Sequence, residues 1–315
     1  KQWVEEKTMT AVLIKAFSFI LLIAAGQFLK RMGIFGPRDH QIVVKIVMNI
    51  TLPAAVIASF SGVQITPQLL AVMLIGLGVN VLLVFFGWLY SRKGSAADKA
   101  FAMLNFSGYN IGAFAMPYLQ SFLGPSGVVI ACMFDSGNAM VCTGGSYALT
   151  SAVVSGGKGE PVTLISILKK LFSSTAFDTY LAMLLLTVLG IQVHPVILSL
   201  LAPAGAANAG VAMLLIGLML QWEHKPGYLR KAITTVLVRN LVAVVGGLLF
   251  FFCTPFPLEI RQVVVIILFA PISVVAAAFT EKCGGDAGLA GFTNSLSILV
   301  SVGIITTLAV AMFGV

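Results

Sequence analysis

Charged residues are scarce in this sequence. Of 315 residues, 19 are Lys or Arg and 11 are Asp or Glu, so 10% are charged, against about 25% in typical soluble domains. So few charges cannot keep the surface of a soluble protein of this size dispersed in water. The shortage therefore argues against a soluble enzyme, a disordered chain and a nucleic-acid-binding protein, even though the net charge is +8.

Cysteine and histidine, the usual metal ligands, are also rare. The sequence has 4 Cys and 3 His. The cysteines form no C-x-x-C pair, and most lie in apolar runs, where a free Cys usually serves as packing. The histidines lie far apart and form no constellation of ligands. We therefore expect neither a metal site nor a cofactor.

Long apolar runs are what the sequence has in abundance, with 59% of its residues hydrophobic. A bilayer core of about 30 Å needs roughly 20 apolar residues in a helix. Ten runs meet this length: 10–29, 41–60, 68–90, 99–122, 126–150, 175–192, 195–221, 230–252, 260–282 and 286–313. The sequence predicts an all-α membrane protein with ten transmembrane helices. Residues 151–174 form a short central loop, which could contain an interfacial helix.

The basic residues predict an orientation, because Lys and Arg are enriched in cytoplasmic loops. With the N-terminus outside, 13 of the 19 basic residues fall in cytoplasmic loops. These are Lys30, Arg31, Arg38, Arg92, Lys93, Lys99, Lys158, Lys169, Lys170, Lys225, Arg230, Lys231 and Lys282. The net positive charge is thus mostly an orientation signal. We expect a multi-pass protein of the plasma or inner membrane with both termini outside.

Weak internal similarity predicts a duplication. Gly33 and Gly190, each followed by Ile, are 157 residues apart, and Asn80 and Asn240 are 160 apart. Gly124 and Gly284 share the second offset. Residues 1–150 and 175–315 would each form a five-helix repeat. Because five is odd, the second repeat would be inverted in the membrane, which is an arrangement typical of secondary transporters.

Helix-breaking residues occur at corresponding places in both halves. Gly108, Gly112 and Pro117 interrupt span 4, and Pro271 interrupts span 9. An interrupted membrane helix exposes backbone groups that must be satisfied within protein or a wet cavity. The freed N–H groups at the start of a half-helix suit an anion. A packing kink is the simpler interpretation of one such break, and the paired positions favour a binding site.

Polar side chains within the spans form a second set of candidates. They include Asn49, Asn80, Asn105, Asn110, Asp135, Asn138, Arg239, Asn240 and Asn294. Asp135 and Arg239 are about 12–15 Å from the nearest span end at 1.5 Å per residue, where a charge is costly and usually functional. The two could form an ion pair that stabilises the packing of the helices. Alternatively, Asp135 could carry a coupling proton while Arg239 contacts an anion.

The order of several motifs resembles the auxin efflux carrier family, which includes PIN-like carriers and bacterial organic-acid permeases. These motifs are GQFLKRMGIF, NITLPAAV, NIGAFAMP, FDSGNAM and TEKCGGDAG. The resemblance implies a sodium/proton-antiporter-like fold with broken crossover helices 4 and 9. Spans 1, 2, 6 and 7 would form a scaffold domain, and spans 3–5 and 8–10 a mobile transport domain.

The same resemblance implies a substrate site at the crossover. Asn110 would lie at that site, with Pro117 and Pro271 as the crossover prolines and Asn49 in the scaffold motif. Asn105 lies beside Asn110 in the same interrupted span. Val275 departs from the family pattern, because bacterial relatives often have Asn there. Asp135, Asn138, Arg239, Asn80, Asn240 and Asn294 would form a coupling or intramembrane polar network.

The sequence therefore predicts a secondary transporter rather than an enzyme. It would move a small organic anion (a carboxylate, auxin-like or dicarboxylate) by an elevator-type alternating-access mechanism, with H⁺ or Na⁺ as coupling ion. Alternatives are a sodium-coupled organic-anion symporter of the bile-acid type, a channel, and an intramembrane enzyme using Asp135 and Asp286. The expected partners are the substrate anion and the lipid bilayer, and a homodimer is among the assemblies open to the chain.

Overall fold

The structure, a computed structural model, describes residues 2–36, 38–156, 163–221 and 225–313. Its regular structure is helical throughout these ranges, apart from one isolated antiparallel bridge. The α-helices are α1 Gln2–Arg31, α2 His40–Ile46, α3 Leu52–Ser59, α4 Pro67–Ser91, α5 Ala96–Phe106, α6 Met116–Met140, α7 Ser146–Val154, α8 Leu164–Leu171, α9 Thr175–Val188, α10 Pro195–Met219, α11 Tyr228–Cys253, α12 Leu258–Leu268, α13 Ala276–Lys282 and α14 Ala287–Phe313. Lys158 of the predicted central loop lies outside the described residues.

Three π-helical turns directly adjoin these helices, and two of the turns join one helix to the next. Val47–Thr51 joins α2 to α3, Ile111–Ala115 precedes α6, and Val141–Gly145 joins α6 to α7. A π-helical turn widens the helix by one residue and often lies at a functional site. All three turns occur close to residues that the sequence singles out.

Seven helical stretches among the described residues are long and apolar enough to cross a membrane. They are Thr10–Arg31, His40–Ser59, Pro67–Ser91, Ile111–Val154, Pro195–Met219, Tyr228–Cys253 and Ala287–Phe313. An eighth results if Ile165–Leu171 and Thr175–Val188, which are bent by 86°, count as one span. The chain is thus a multi-pass membrane protein, whereas the count of ten spans and the inverted repeat stay predictions.

The stretch Ile111–Val154 is too long for one crossing. Its 44 residues would extend about 66 Å as a straight helix, twice the thickness of a bilayer core. Gly124 breaks it, with φ 64° and ψ −144°, and Pro125 follows. This bend falls between the fourth and fifth predicted spans.

Glycines let the central helices approach closely. A Cβ on Gly76 of α4 would lie 2.3 Å from the carbonyl oxygen of Phe134, and one on Gly137 of α6 would lie 2.0 Å from that of Met73. Small residues of this kind are the usual contact between membrane helices, because lipid gives no hydrophobic drive for association.

Residues 128–134 of α6 are buried on all sides. Leu74 of α4 and Phe252 of α11 instead face outwards, as lipid-exposed side chains do.

Candidate functional site

Two helices are interrupted in the interior of the protein. The first interruption lies between the end of α5 at Phe106 and the π-helical turn that begins at Ile111. The second separates Leu268, the last residue of α12, from Ala276, the first of α13. Gly108 has φ +76°, and a Cβ there would lie 3.1 Å from both Cys142 Sγ and Ser273 Cβ. The first interruption therefore requires glycine for its backbone and for its close contact with the second.

The two interruptions meet directly. Tyr109 and Ile272 form the isolated antiparallel bridge, and the Asn110 N–H donates to the Pro271 carbonyl at 2.9 Å. Each unwound segment thus supplies part of the hydrogen bonding that the other has lost. This pairing explains how non-helical backbone persists within an apolar protein interior.

Polar side chains from neighbouring helices satisfy further backbone groups. Asn80 Oδ1 accepts from the Gly108 N–H at 2.8 Å. Asn138 accepts from the Tyr109 N–H and donates to the Tyr109 carbonyl, both at 3.0 Å. Ser297 Oγ accepts from the Ile272 N–H at 3.2 Å. The predicted intramembrane residues Asn80 and Asn138 therefore lie at one structural feature, and they fix the backbone there.

A cavity of about 340 Å³ opens beside these interruptions, within the usual range for small-molecule sites. One wall is the start of the π-helical turn, residues 110–113, and another is the second interruption at Ser273, Val274 and Val275. The opposite wall comes from α2, the following turn and α9. Its lining there includes Val44, Met48, Asn49, Thr175, Phe177 and Tyr180.

The cavity wall at Asn110 favours negative charge. Asn110 precedes the helical turn, its side chain makes no capping hydrogen bond, and its buried Nδ2 has no partner. The first N–H groups of a helix lack intrahelical acceptors, and they carry the positive end of the helix dipole. Asn110 thus lines the cavity at a helix start with a buried amide that has no partner. Among the described lining residues of this cavity there is no Lys or Arg.

Asp135 is the acidic group in this cavity. Its carboxylate accepts from Asn138 Nδ2 at 2.8 Å and from the Tyr180 hydroxyl at 3.1 Å. Asn138 therefore links Asp135 to Tyr109 in the first interruption. Sequence reasoning missed Tyr180, because a Tyr near a span end usually marks the membrane interface. No local pattern signals that its hydroxyl reaches an acid on another helix.

Arg239 lies apart from Asp135. Its guanidinium donates to the carbonyls of Phe106, Gly108 (3.2 Å) and Ala270 (3.4 Å). It also lies over the Tyr109 ring, 4.9 Å from the centroid. The structure does not pair Arg239 with Asp135, because Arg239 bonds backbone carbonyls. Nor is Arg239 among the residues that line the 340 Å³ cavity.

Of the other predicted binding residues, Pro271 and Asn49 lie at the cavity or next to it. Pro271 is in the second interruption and accepts the bond from Asn110. Asn49 is an exposed lining residue that accepts from Thr175 Oγ1 at 2.6 Å. Pro117 instead occupies the first turn of α6, and it is not a lining residue. Asn105, near the end of α5, donates to Thr280 Oγ1 at 3.0 Å and so ties α5 to α13.

Two remaining residues of the predicted network lie outside the cavity. Asn240 donates to the Val236 carbonyl of its own helix at 2.8 Å. Asn294 lines an adjoining cavity of about 330 Å³, which also contains His40 and Lys45. The two cavities share Val44, Met219 and Val274. Together they form a path from the interruptions towards the start of α2.

A larger cavity, of about 650 Å³, lies at the other end of α9. It is lined by residues 60–67, 187–188 and 190–193, and by Leu70 and Met183. Met183 is one helical turn from Tyr180, which lines the 340 Å³ cavity. A cavity thus lies at each end of α9, and of these two the 340 Å³ cavity is the one that contains residues of the interruptions. Within the described residues, no three His, Cys, Asp or Glu side chains are grouped as a metal site would require.

Comparison with known proteins supports a transporter. No protein-family model matches the chain. A protein of Methanothermobacter thermautotrophicus named an uncharacterized transporter is 24% identical over 149 residues, which are 46% of this chain and 49% of that protein. The match thus spans about half the length of this relative. Together with the multi-span helical structure it favours a membrane transporter over an enzyme, while membership of the auxin efflux carrier family stays a prediction.

Proposed function

We propose that the protein is a secondary transporter for a small organic anion that carries one carboxylate. The observation that carries this proposal is the cavity at the interruptions, which is lined by the start of the Ile111–Ala115 turn and by Asn110, whose buried amide has no partner. A carboxylate there would accept bonds from both. Half-helix N-termini at broken membrane helices are a recurrent way of binding anionic substrates.

The lining favours a monocarboxylate over a dicarboxylate. Apart from Asp135, the described lining residues carry no charge, and many are apolar, such as Val44, Met48, Phe177, Val274 and Val275. A second carboxylate would have to leave water for this apolar wall without a cationic partner, which is costly. An apolar or aromatic body attached to a single carboxylate fits the same wall.

Asp135 supports coupling to protons. An ionised Asp135 and a bound carboxylate about 6 Å apart would repel by about 3 kcal/mol at an effective dielectric constant of 20. Protonation of Asp135 removes this repulsion, so anion and proton should bind together. The proposed stoichiometry is one proton with one carboxylate, moved in the same direction as electroneutral symport.

Several paired features support the ten-span inverted repeat. Gly33 and Gly190 both have positive φ, of 76° and 71°, at helix ends. Gly124 and Gly284 likewise have φ of 64° and 75°. The count of ten would follow if α5 and the stretch from Ile111 to the break at Gly124 form one crossing, and the rest of Ile111–Val154 forms the next. Likewise α2 with α3, and α12 with α13, would each form one crossing.

Contacts between equivalent positions support the same repeat. Thr51 and Asn208, which are 157 residues apart, share a hydrogen bond of 3.0 Å. Contact between equivalent residues is what a pseudo-two-fold axis between the halves would produce. Similarly, Asn138 satisfies the first interruption and Ser297, 159 residues later, the second.

The division of the cavity wall supports alternating access of the elevator type. The interruptions and Asp135 would belong to the transport domain, whereas Met48, Asn49, Thr175 and Tyr180 would belong to the scaffold. A substrate between them would move with the transport domain as it slides. In the predicted orientation the 340 Å³ cavity opens to the cytoplasm, so this state would be inward-open.

Uptake by proteoliposomes tests the proposal. We expect the purified full chain to take up radiolabelled benzoate when the outside is acidic, and to take up succinate far more slowly. Uptake driven by an imposed sodium gradient at constant pH would instead favour the bile-acid-type sodium symporter. Preference for succinate, or no uptake of either benzoate or succinate under either gradient, would contradict the proposed function.

A further inference from the structure

Arg239 occupies an unusual position in the middle of α11. The residue is 8% exposed, and its hydrogen bonds go to backbone carbonyls, not to an acid. Phe106 and Gly108 belong to the first interruption, and Ala270 belongs to the second. One side chain therefore bonds both interrupted helices at the level where they meet.

The chemistry of these carbonyls explains why a cation lies there. The last carbonyls of a helix have no intrahelical donor, and they carry the negative end of the helix dipole. Here two such ends, those of α5 and α12, converge in an interior where water is scarce. Arg suits this place because its planar guanidinium has five donors and stays charged. The Tyr109 ring, 4.9 Å away, adds a favourable contact with its face.

We infer that Arg239 is a positioning residue that clamps the two interruptions in one geometry and thereby aims the Asn110 amide into the cavity. The links are short. Arg239 donates to the Gly108 carbonyl, two residues before Asn110. The Asn110 N–H in turn donates to the carbonyl of Pro271, which follows Ala270. Loss of the clamp should loosen both interruptions together, because they also hydrogen-bond each other.

Its effect on uptake rests on the proposed function, but the clamp itself can be tested without a substrate. Hydrogen–deuterium exchange of the purified full chain reports on the amides of residues 107–111 and 269–275. We expect Arg239→Lys to speed exchange in both segments by about tenfold or more, because a point-like ammonium cannot reach three carbonyls at once. Peptides from α1 and α10 should exchange as in the wild type.

Arg261 provides a matched control. It also donates to a backbone carbonyl, that of Phe251 at 2.7 Å, and lies over the Phe251 ring at 5.3 Å. Arg261→Lys should leave exchange at both interruptions unchanged. Unchanged exchange in Arg239→Lys, or an equal increase throughout the protein, would overturn the clamp. Rapid exchange of these segments in the wild type would overturn it without any variant.

Benzoate uptake provides the second readout. We expect Arg239→Lys to raise the apparent KM for benzoate by about tenfold, the equivalent of one hydrogen bond to a charged group, and Arg261→Lys to leave it unchanged. An unchanged KM in Arg239→Lys would overturn the aiming of Asn110. If the wild type takes up no carboxylate, the proposed function fails, whereas exchange still decides whether Arg239 clamps the interruptions.

Discussion

Replacing Asn110 by Ala should weaken binding of a monocarboxylate and leave the empty protein as stable as before. Asn110 Nδ2 is buried without a partner, so the substitution removes no hydrogen bond made by this amide. The backbone bond to Pro271 is kept, since it comes from the main-chain N–H. In the bound state the amide would donate to the carboxylate. A hydrogen bond to a charged group contributes about 1.5–3 kcal/mol, so Kd should rise about 10- to 100-fold.

The measurement pairs isothermal titration with benzoate and thermal unfolding of the empty protein. Asn138→Ala is the contrasting variant, because Asn138 bonds both Tyr109 backbone groups and Asp135, and it should lower Tm. Asn240→Ala is the neutral control, because Asn240 donates to the Val236 carbonyl within α11. An unchanged Kd in Asn110→Ala, or a fall in Tm as large as that of Asn138→Ala, would refute the assignment.

Three further predictions concern coupling, packing and the surface. Asp135→Asn keeps a hydrogen-bonding side chain but no proton site, so benzoate uptake should no longer respond to an imposed pH gradient. Gly76→Ala should lower Tm because its Cβ would lie 2.3 Å from a carbonyl oxygen of α6, whereas Gly78→Ala, with nothing within 4 Å, should not. The hydrogen bond from Lys231 at 2.7 Å holds the pKa of Asp98 below its usual value. Asp98→Asn should therefore cost less than about 1 kcal/mol at pH 7, because the pair is exposed.

Each of these has an outcome that counts against it. An unaltered pH response in Asp135→Asn would remove that carboxylate from the coupling step. Equal effects of the two glycine substitutions would mean that α4 does not pack on α6 through Gly76. For Asp98, the ion pair stabilises the protein above the unfolded pKa of about 3.9, and this contribution is lost as pH falls through the lower folded pKa. A stability difference that stays the same as pH falls from 7 into the acid range would contradict the ion pair.

Much of the fold could be predicted from local sequence. An apolar run longer than about 20 residues is a membrane helix by length alone, and the predicted runs agree with the observed helices to within a few residues. For example, the run 68–90 corresponds to Pro67–Ser91. The runs 99–122 and 260–282 instead each cover two helices and the interruption between them, and the count of ten spans stays a prediction. The interruption near Gly108 was also predictable, because glycine and proline disturb a helix through local backbone effects. Pro117 was a less accurate guide, since it lies beyond the first interruption, just after the Ile111–Ala115 turn in the same helical stretch.

The tertiary structure decided which polar groups meet. Depth in a span could single out Asp135 and Arg239, but not their partners, because a hydrogen bond across 133 residues from Arg239 to Phe106 leaves no trace in local composition. Tyr180 and Ser297 gained their roles in the same way. The sequence by itself determined the membrane class, the approximate spans and the positions where helices break. Only packing brought the two interruptions together, since their unpaired backbone groups find partners across the interior and not along the chain.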